Sequence, residues 1–531
     1  MKKIWLLTLL STALCAETVD YTVVGGGIIG ALESYYFYKD AVKNGDDVRI
    51  TIYEKGDGLS DTNTAYNIAP SLTIDEILSV VPRGKELVNK LAIPFDQSGG
   101  IRVDDVAGIN DSPSAISFKN AVMLYANDPN HDDRTDTLLS LGRMSMDLWQ
   151  QLYDEGDDEI KSILELANFH PCREPKLSAG RALHDGYRID LIYGIPNAAA
   201  KAANMKADYD KYGYKNCNLL SPDEVVAIDP YLKDYCAQHS TGEAPRVWKQ
   251  DAAALWRPGG CVDAYIFLTE IYAYLEKQLQ NNFRIAFNKQ VTSVILDEAS
   301  VVTGLKFSDG TSISASSQYV FCPGEAIGTL QLLGFQEPAY AGFAGAALML
   351  DIPAEPSYCK DFSHCMEVHN EGIVLAWQAR AKEKSIFISV AGTKSFYGDV
   401  LPTKQENFAK NRNLVQLNMI NEVLPEFISL ACGYSTQGKC LTAEDLSLLE
   451  KKGIARRWAG RRAVAYDGFP TLGALYHNGN RVANARCTTH LGSGGVSFGP
   501  AVIAMSRQSF APTNDPFVQK VLTYADSRRS P

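Results

Sequence analysis

Gly25, Gly27 and Gly30 stand at the spacing G-x-G-x-x-G, and an acid, Glu54, follows 24 residues after the last of them. Residues of these types in this order can hold a dinucleotide. The first glycine permits a tight turn, and the second lets backbone N–H groups approach a pyrophosphate. The third lets a helix pack close to the strand before it. The helix N-terminus then faces the anion, and the Glu54 carboxylate can accept hydrogen bonds from a ribose. A carboxylate at that point repels a 2′-phosphate. Gly26 and Lys55 lie in the same two loops.

A second set of candidates lies near the C-terminus. Trp458-Ala459-Gly460-Arg461-Arg462 precedes Asp467-Gly468-Phe469-Pro470, and Thr489-His490-Leu491-Gly492-Ser493-Gly494-Gly495 follows. A guanidinium such as that of Arg462 can clamp a carboxylate through two parallel hydrogen bonds. Arg486 is a second arginine for that role. His490 can hydrogen-bond a ring or a substrate, although a lone histidine is as often structural. Trp458 reads as core. Gly492, Gly494 and Gly495 lead into a helix and so offer a second N-terminus that favours negative charge. No Cys or His cluster has metal-ligand spacing, so no metal is expected.

The surrounding pattern supplies elements to position these groups. Tyr21–Val24 is a β-rich run, Gly25–Gly30 reads as a tight glycine turn, and Ala31–Tyr36 as the helix that follows. Asp47–Tyr53 reads as a second strand with Glu54 at its tip. Arg257–Asp263 introduces an amphipathic helix, Ala264 to Gln278. From Phe283 the alternation through Val291 to Ala315 reads as a meander turned at Ser308-Asp309-Gly310. A strand from Gln318 to Cys322 runs into Pro323-Gly324, where backbone is expected to pass close to the nucleotide. Leu220–Val225 reads as a capped helix start, Val482–Ala485 as a strand, and Ala501–Gln508 as the closing helix.

Trp458-x-Gly460-x-Arg462, Asp467-Gly468-x-Pro470-x-x-Gly473 and His490-x-Gly492-x-Gly494, added to the first glycine motif, resemble the D-amino-acid-oxidase-type (DAO) family of flavoproteins. Glycine and sarcosine oxidases and D-amino-acid dehydrogenases belong to that family. The likeness runs from Tyr21 to Gln508 and is patchy between about 105 and 250. Gly342–Leu350 and Ile386–Lys394 are similar to strands of the family's substrate domain, and Thr64–Asn67 to its loop near the flavin. Ala463 stands where the family usually has proline, and Leu491 where glycine is frequent.

The resemblance implies an α/β fold: a Rossmann-like FAD-binding domain with a second α+β substrate domain containing a mixed sheet. Segments 17–110, 250–336 and 455–531 are expected to build the FAD-binding domain, and 111–249 with 337–454 the substrate domain. It implies FAD as cofactor, held by Gly25, Gly26, Gly27, Gly30, Glu54, Lys55, Thr64, Val291, Gly324, Gly492, Gly494 and Gly495. Arg462 matches the family's carboxylate-binding arginine, and His490 is the second catalytic candidate. The implied reaction oxidises a small amine or amino acid, with oxygen or a quinone as electron acceptor. A malate:quinone-oxidoreductase-like enzyme acting on a hydroxy acid and a non-catalytic flavin-binding protein remain as alternatives.

The chain has 531 residues, 46% of them hydrophobic and 21% charged, with a net charge of -11. That length favours two domains, and that charge argues against nucleic acid as a partner. Lys2 and Lys3, the apolar run Ile4–Leu10 and the small residues to Ala16 form the pattern of a secretory signal peptide over 1–16. Export to the periplasm, cell surface or medium is therefore expected, and peripheral membrane contact is left open. Of the 11 cysteines Cys15 falls in that segment. The close pairs Cys359/Cys365 and Cys432/Cys440 are candidates for disulfides, while Cys322, inside an apolar strand, reads as a buried thiol.

Overall fold

The computed structural model describes residues 18–59, 71–72, 102–103, 113–125, 128–169, 187–192, 197–211, 217–220, 224, 253–314, 316–326, 328–353, 365–370, 373–380, 384–398, 417, 420–421, 441–492, 494–509 and 513–530. Two large sheets organise them. The first has six strands: β1 (Val19–Val24), β2 (Val48–Tyr53), β3 (Phe283–Ala286), β4 (Gln318–Phe321), β5 (Thr471–His477) and β6 (Asn480–Thr489), in the order β5-β6-β4-β1-β2-β3. All neighbours are parallel except β5, which turns back against β6. Parallel strands buried on both faces read as continuous apolar runs, which is why Val23, Ile50, Ile52, Val320 and Phe321 are fully buried.

Helices cover this sheet. They include α1 (Ile28–Asn44), α2 (His131–Asp154), α3 (Ala264–Leu279) and α4 (Gly495–Gln508). α4 lies against α1 and α2, and α1 lies against α3. The shared core includes Leu32, Trp149, Phe267 and Val502, all fully buried. α1 ends where Gly45 adopts φ +74, the left-handed cap that glycine takes without steric cost.

The second sheet has nine strands, in the order Ala455–Ala465, Tyr340–Pro353, Ser385–Gly398, Ile373–Arg380, Cys365–Asn370, Tyr187–Ile192, Ala253–Pro258 and Asn218–Leu220, with Arg102–Val103 beside Ser385–Gly398. Two pairings in it are parallel and the others antiparallel. The fold is thus the mixed α/β arrangement that the sequence implied.

Three details differ from the sequence reading. The run from Phe283 to Val294 is broken at Asn288, which takes φ +55, so Phe283–Ala286 joins β2 and only Val291 onward enters the three-stranded meander. The strands Arg102–Val103, Ala253–Pro258 and Ala455–Ala465, grouped by sequence with the nucleotide-binding segments, pair in the nine-stranded sheet. The last helix begins at Gly495, six residues before Ala501, and contains Pro500. Thr64, Cys359, Cys432, Cys440 and most of the Leu220–Val225 helix start lie outside the described residues. Among the described residues no helix is long and apolar enough to cross a membrane.

Candidate active site

The carboxyl ends of β1, β2 and β4 converge on one set of loops. Gly25 follows β1 with φ +110, and a Cβ there would run into the Cys322 carbonyl just beyond β4. A Cβ on Gly30 would strike the Gly25 carbonyl, so the helix meets the strand turn at a separation only glycine allows. Gly27 differs from both. It is the N-cap of α1, no side chain caps it, and a Cβ there would meet nothing within 4 Å.

Glu54, at the end of β2, accepts hydrogen bonds from Gly26 N at 2.7 Å and from Gly56 N at 2.9 Å. Its own amide donates to Ala286 O at 2.9 Å, and its carbonyl accepts from Lys289 N at 2.8 Å. The carboxylate is fixed at the strand tip with lone pairs left for hydroxyl donors. Val291 opens the meander close by and is 8% exposed. Lys55 Nζ is 3.3 Å from Glu325 Oε1. Gly324, one residue earlier, turns with φ +57, and a Cβ there would meet open space.

The second glycine loop arrives at the same place. α4 starts at Gly495 with Gly494 as an N-cap that lacks a side-chain cap. A Cβ on Gly495 would stand 4.0 Å from Ile28, the first residue of α1. Two uncapped helix N-termini therefore lie side by side, and their free N–H groups and aligned dipoles favour a negative ligand. Gly492 N donates to Ala463 O at 3.0 Å, and Leu491 bridges Val464. These bonds tie the loop to the edge strand Ala455–Ala465 of the nine-stranded sheet.

Arg462 sits on that edge strand, one residue from the tie, half-buried, opposite Phe343. Its guanidinium lies over Gly345, where a Cβ would collide with it. The Trp458 ring lies over Gly460 in the same way, and Gly345 and Gly460 are paired across the strands. Two facing glycines thus form the floor on which an indole and a guanidinium rest. A second link between the sheets comes from Arg380, which bonds Asp263 and Asp351 while Asp263 caps α3.

His490 and Arg486 have other surroundings than the sequence suggested. His490 Nδ1 is 2.8 Å from Thr471 Oγ1, and Nε2 is 3.0 Å from Glu337 Oε1. The ring stacks on Tyr340, and its backbone takes φ +59. Both ring nitrogens are engaged within the protein, so a direct hydrogen bond from His490 to a ligand is not available in this arrangement. Arg486 is buried on β6, where it bonds Glu33 at 2.5 Å and stacks over Phe37. Neither partner was visible in the spacing, because Glu337 and Glu33 come from distant parts of the chain.

These features fit FAD. The open space at Gly27, the fixed Glu54 carboxylate and the paired N-termini would hold its diphosphate, ribose and ring edge. The family model for DAO, FAD dependent oxidoreductase, matches residues 20–505. No curated protein matches the sequence. Among solved structures, the chain resembles glycine oxidase from Bacillus cereus ATCC 14579, with TM-score 0.52 and 12% identity over 93% of this chain and 94% of that one. Iminodiacetate oxidase from Chelativorans sp. BNC1 gives 0.52 and 13% over 93% and 97%. FAD-bound L-alpha-glycerophosphate oxidase from Mycoplasma pneumoniae gives 0.52 and 12% over 94% and 96%. The chain belongs to the DAO family of FAD-dependent oxidoreductases, and FAD is its cofactor.

Proposed function

We propose that this enzyme oxidises a small amine or amino acid and passes the electrons to oxygen or a quinone. The observation that carries the reading is Arg462, half-buried beside the Ala463–Gly492 bond that ties the substrate-side sheet to the flavin-side glycine loop. A guanidinium so placed can grip a carboxylate in two hydrogen bonds and leave the neighbouring carbon to face the cofactor. Bound FAD supplies the hydride acceptor. Trp458, over the same glycine floor, offers an apolar wall beside the guanidinium. His490 acts as a positioning residue, holding the loop path between Thr471 and Glu337. The names of glycine oxidase and iminodiacetate oxidase support an amino-acid substrate class.

The test is an anaerobic screen of amino acids, N-methyl amino acids, simple amines and 2-hydroxy acids for flavin bleaching, with wild type and Arg462→Met. An amino acid should bleach the wild type, and the variant should lose about 30- to 1000-fold in kcat/KM while still binding FAD. Bleaching only by carboxylate-free amines, equal in both proteins, would remove the clamp. Bleaching only by a hydroxy acid would replace the amine reading altogether. Export is part of the same proposal, on the strength of Lys2, Lys3 and the apolar run that follows. N-terminal sequencing of protein from fractionated cells should find a start between Ala16 and Thr18, and an intact Met1 in the cytoplasmic fraction would refute it.

A further inference from the structure

Asp467 follows the edge strand Ala455–Ala465, and its carboxylate is fully buried. Two guanidiniums meet on it. Arg134 of α2 donates to Oδ2 at 2.7 Å, and Arg529 donates to Oδ2 at 2.9 Å and to Oδ1 at 3.2 Å. Arg529 follows the helix Pro516–Tyr524, which is held on α2 where Lys520 and Tyr524 bond Asp133. Its remaining donors go to Phe469 O, to Asp526 O at 3.1 Å and to Thr471 Oγ1 at 3.0 Å. All five guanidinium N–H groups are thus spent inside the protein, and the bond to Thr471 leads on toward the flavin-side loop.

That bond fixes the direction of those beyond it. A guanidinium donates and never accepts, so the fully buried Thr471 hydroxyl receives from Arg529 and keeps its own hydrogen to give. Among the described residues the other partner of that hydroxyl is His490 Nδ1, at 2.8 Å. Nδ1 is then the acceptor, and the ring carries its hydrogen on Nε2, which donates to Glu337 Oε1 at 3.0 Å. Glu337 Oε2 accepts from Gln331 N at 3.1 Å, so that carboxylate is anchored as well. The opposite tautomer would set a bare Nε2 against the carboxylate and orphan the Thr471 hydrogen. The chain from Arg529 through Thr471 and His490 to Glu337 therefore runs one way, from a cation to an anion, and each bond polarises the next.

His490 is also strained. It takes φ +59, a backbone that a residue with a Cβ seldom holds without support, and its ring is bonded at both nitrogens and stacked on Tyr340. Leu491 and Gly492 come next, tied to Val464 and Ala463, and α4 starts three residues after Gly492.

We propose that Arg529 is a positioning residue of the flavin site. Acting through Thr471, it locks His490 in one tautomer and so sets where Gly492, Gly494 and the N-terminus of α4 stand against the ring edge of FAD. The inference rests on FAD binding and family membership, not on the amine reading, and its test uses no substrate, so the two can fail separately.

The test compares wild type, Thr471→Val, Thr471→Ser, Arg529→Lys and the Thr471→Val/Arg529→Lys double variant. Thr471→Val keeps the shape of the side chain and removes the hydroxyl, whereas Arg529→Lys keeps the charge on Asp467 but cannot also reach Thr471. In each of these two the Kd for FAD should rise about 10-fold. The flavin midpoint potential should fall, because a helix N-terminus set back from the ring favours the reduced form less. The Kd for ADP should stay at the wild-type value, since the Gly25–Gly30 turn and Glu54 are untouched. Thr471→Ser should restore both FAD affinity and potential, and the double variant should be no worse than the single ones, as expected for residues acting through one chain. In the wild type, 15N spectra of the His490 ring, assigned by loss of its signals in His490→Asn, should show a bare Nδ1 and a hydrogen on Nε2. A hydrogen on Nδ1 would overturn the one-way chain. Wild-type FAD affinity and potential in Thr471→Val and Arg529→Lys, with only the melting temperature lowered, would overturn the positioning role, and so would additive losses in the double variant. Should Thr471→Val fail to fold, Arg529→Lys decides on the same readouts. Failure of both to fold overturns the proposal, because the network would then hold the fold and not the loop.

Discussion

Gly27 and Gly30 are both glycines of one motif, yet the fold needs them for different reasons. At Gly30 a Cβ collides with the Gly25 carbonyl, whereas at Gly27 it meets nothing within 4 Å and the backbone has an ordinary φ of -79. Gly27→Val should therefore leave the FAD-free protein folded, with a melting temperature near wild type, and abolish FAD binding. Gly30→Val should lower the melting temperature whether or not FAD is added. Calorimetric titration and thermal unfolding of both variants check this, and a Gly27→Val protein that still binds FAD would show that the diphosphate lies elsewhere. The glycine and acid positions were legible because their reasons are local: a turn, a close approach, a strand tip. The surroundings of His490 and Arg486 were not, because their partners Glu337 and Glu33 are brought in by the fold, the latter across 453 positions.

At the scale of elements, α4 illustrates how one side chain extends a helix. Pro500 has no N–H, so within α4 the Val496 carbonyl, four residues earlier, cannot be bonded in the usual way. The sequence reading placed the helix only from Ala501 to Gln508. In the structure the Trp149 indole N–H, from α2, donates to Val496 O at 3.1 Å, and Trp149 is fully buried. The helix therefore continues back to Gly494 and presents its N-terminus at the cofactor site. Trp149→Phe keeps the ring and removes the donor, leaving a buried carbonyl unbonded at a cost of about 1–3 kcal/mol. Denaturant unfolding should show that loss, and FAD should bind more weakly as the first turn of α4 loosens. Unchanged stability would mean that the carbonyl finds another donor. A helix start that depends on an indole some 350 positions away in the chain leaves no mark on local spacing.

For the whole molecule, the sequence separated two groups of segments, and the structure shows where they join. The edge strand Ala455–Ala465 belongs to the nine-stranded sheet yet is bonded to the flavin-side loop through Ala463–Gly492 and Val464–Leu491. Its arginine-rich, glycine-bearing sequence names neither sheet, so its pairing partner was set by three-dimensional packing. Cofactor binding at this junction should stabilise the folded chain as a unit, and two thiols report on it. Cys322 follows β4 and Cys487 lies on β6, and both are buried outside any disulfide. Burial pushes both thiols well above the usual range, so a disulfide reagent should reach them only when the sheet opens. If the open form does not bind FAD, cofactor at 100 times its Kd adds about 2.7 kcal/mol to the folded state. Reaction of Cys322 and Cys487 with the reagent should then slow about 100-fold, measured against a Cys322→Ser/Cys487→Ser double variant to isolate their contribution. A rate that does not respond to FAD would mean that the sheet opens without releasing the cofactor, and the six-stranded sheet and its ligand would not form one cooperative unit.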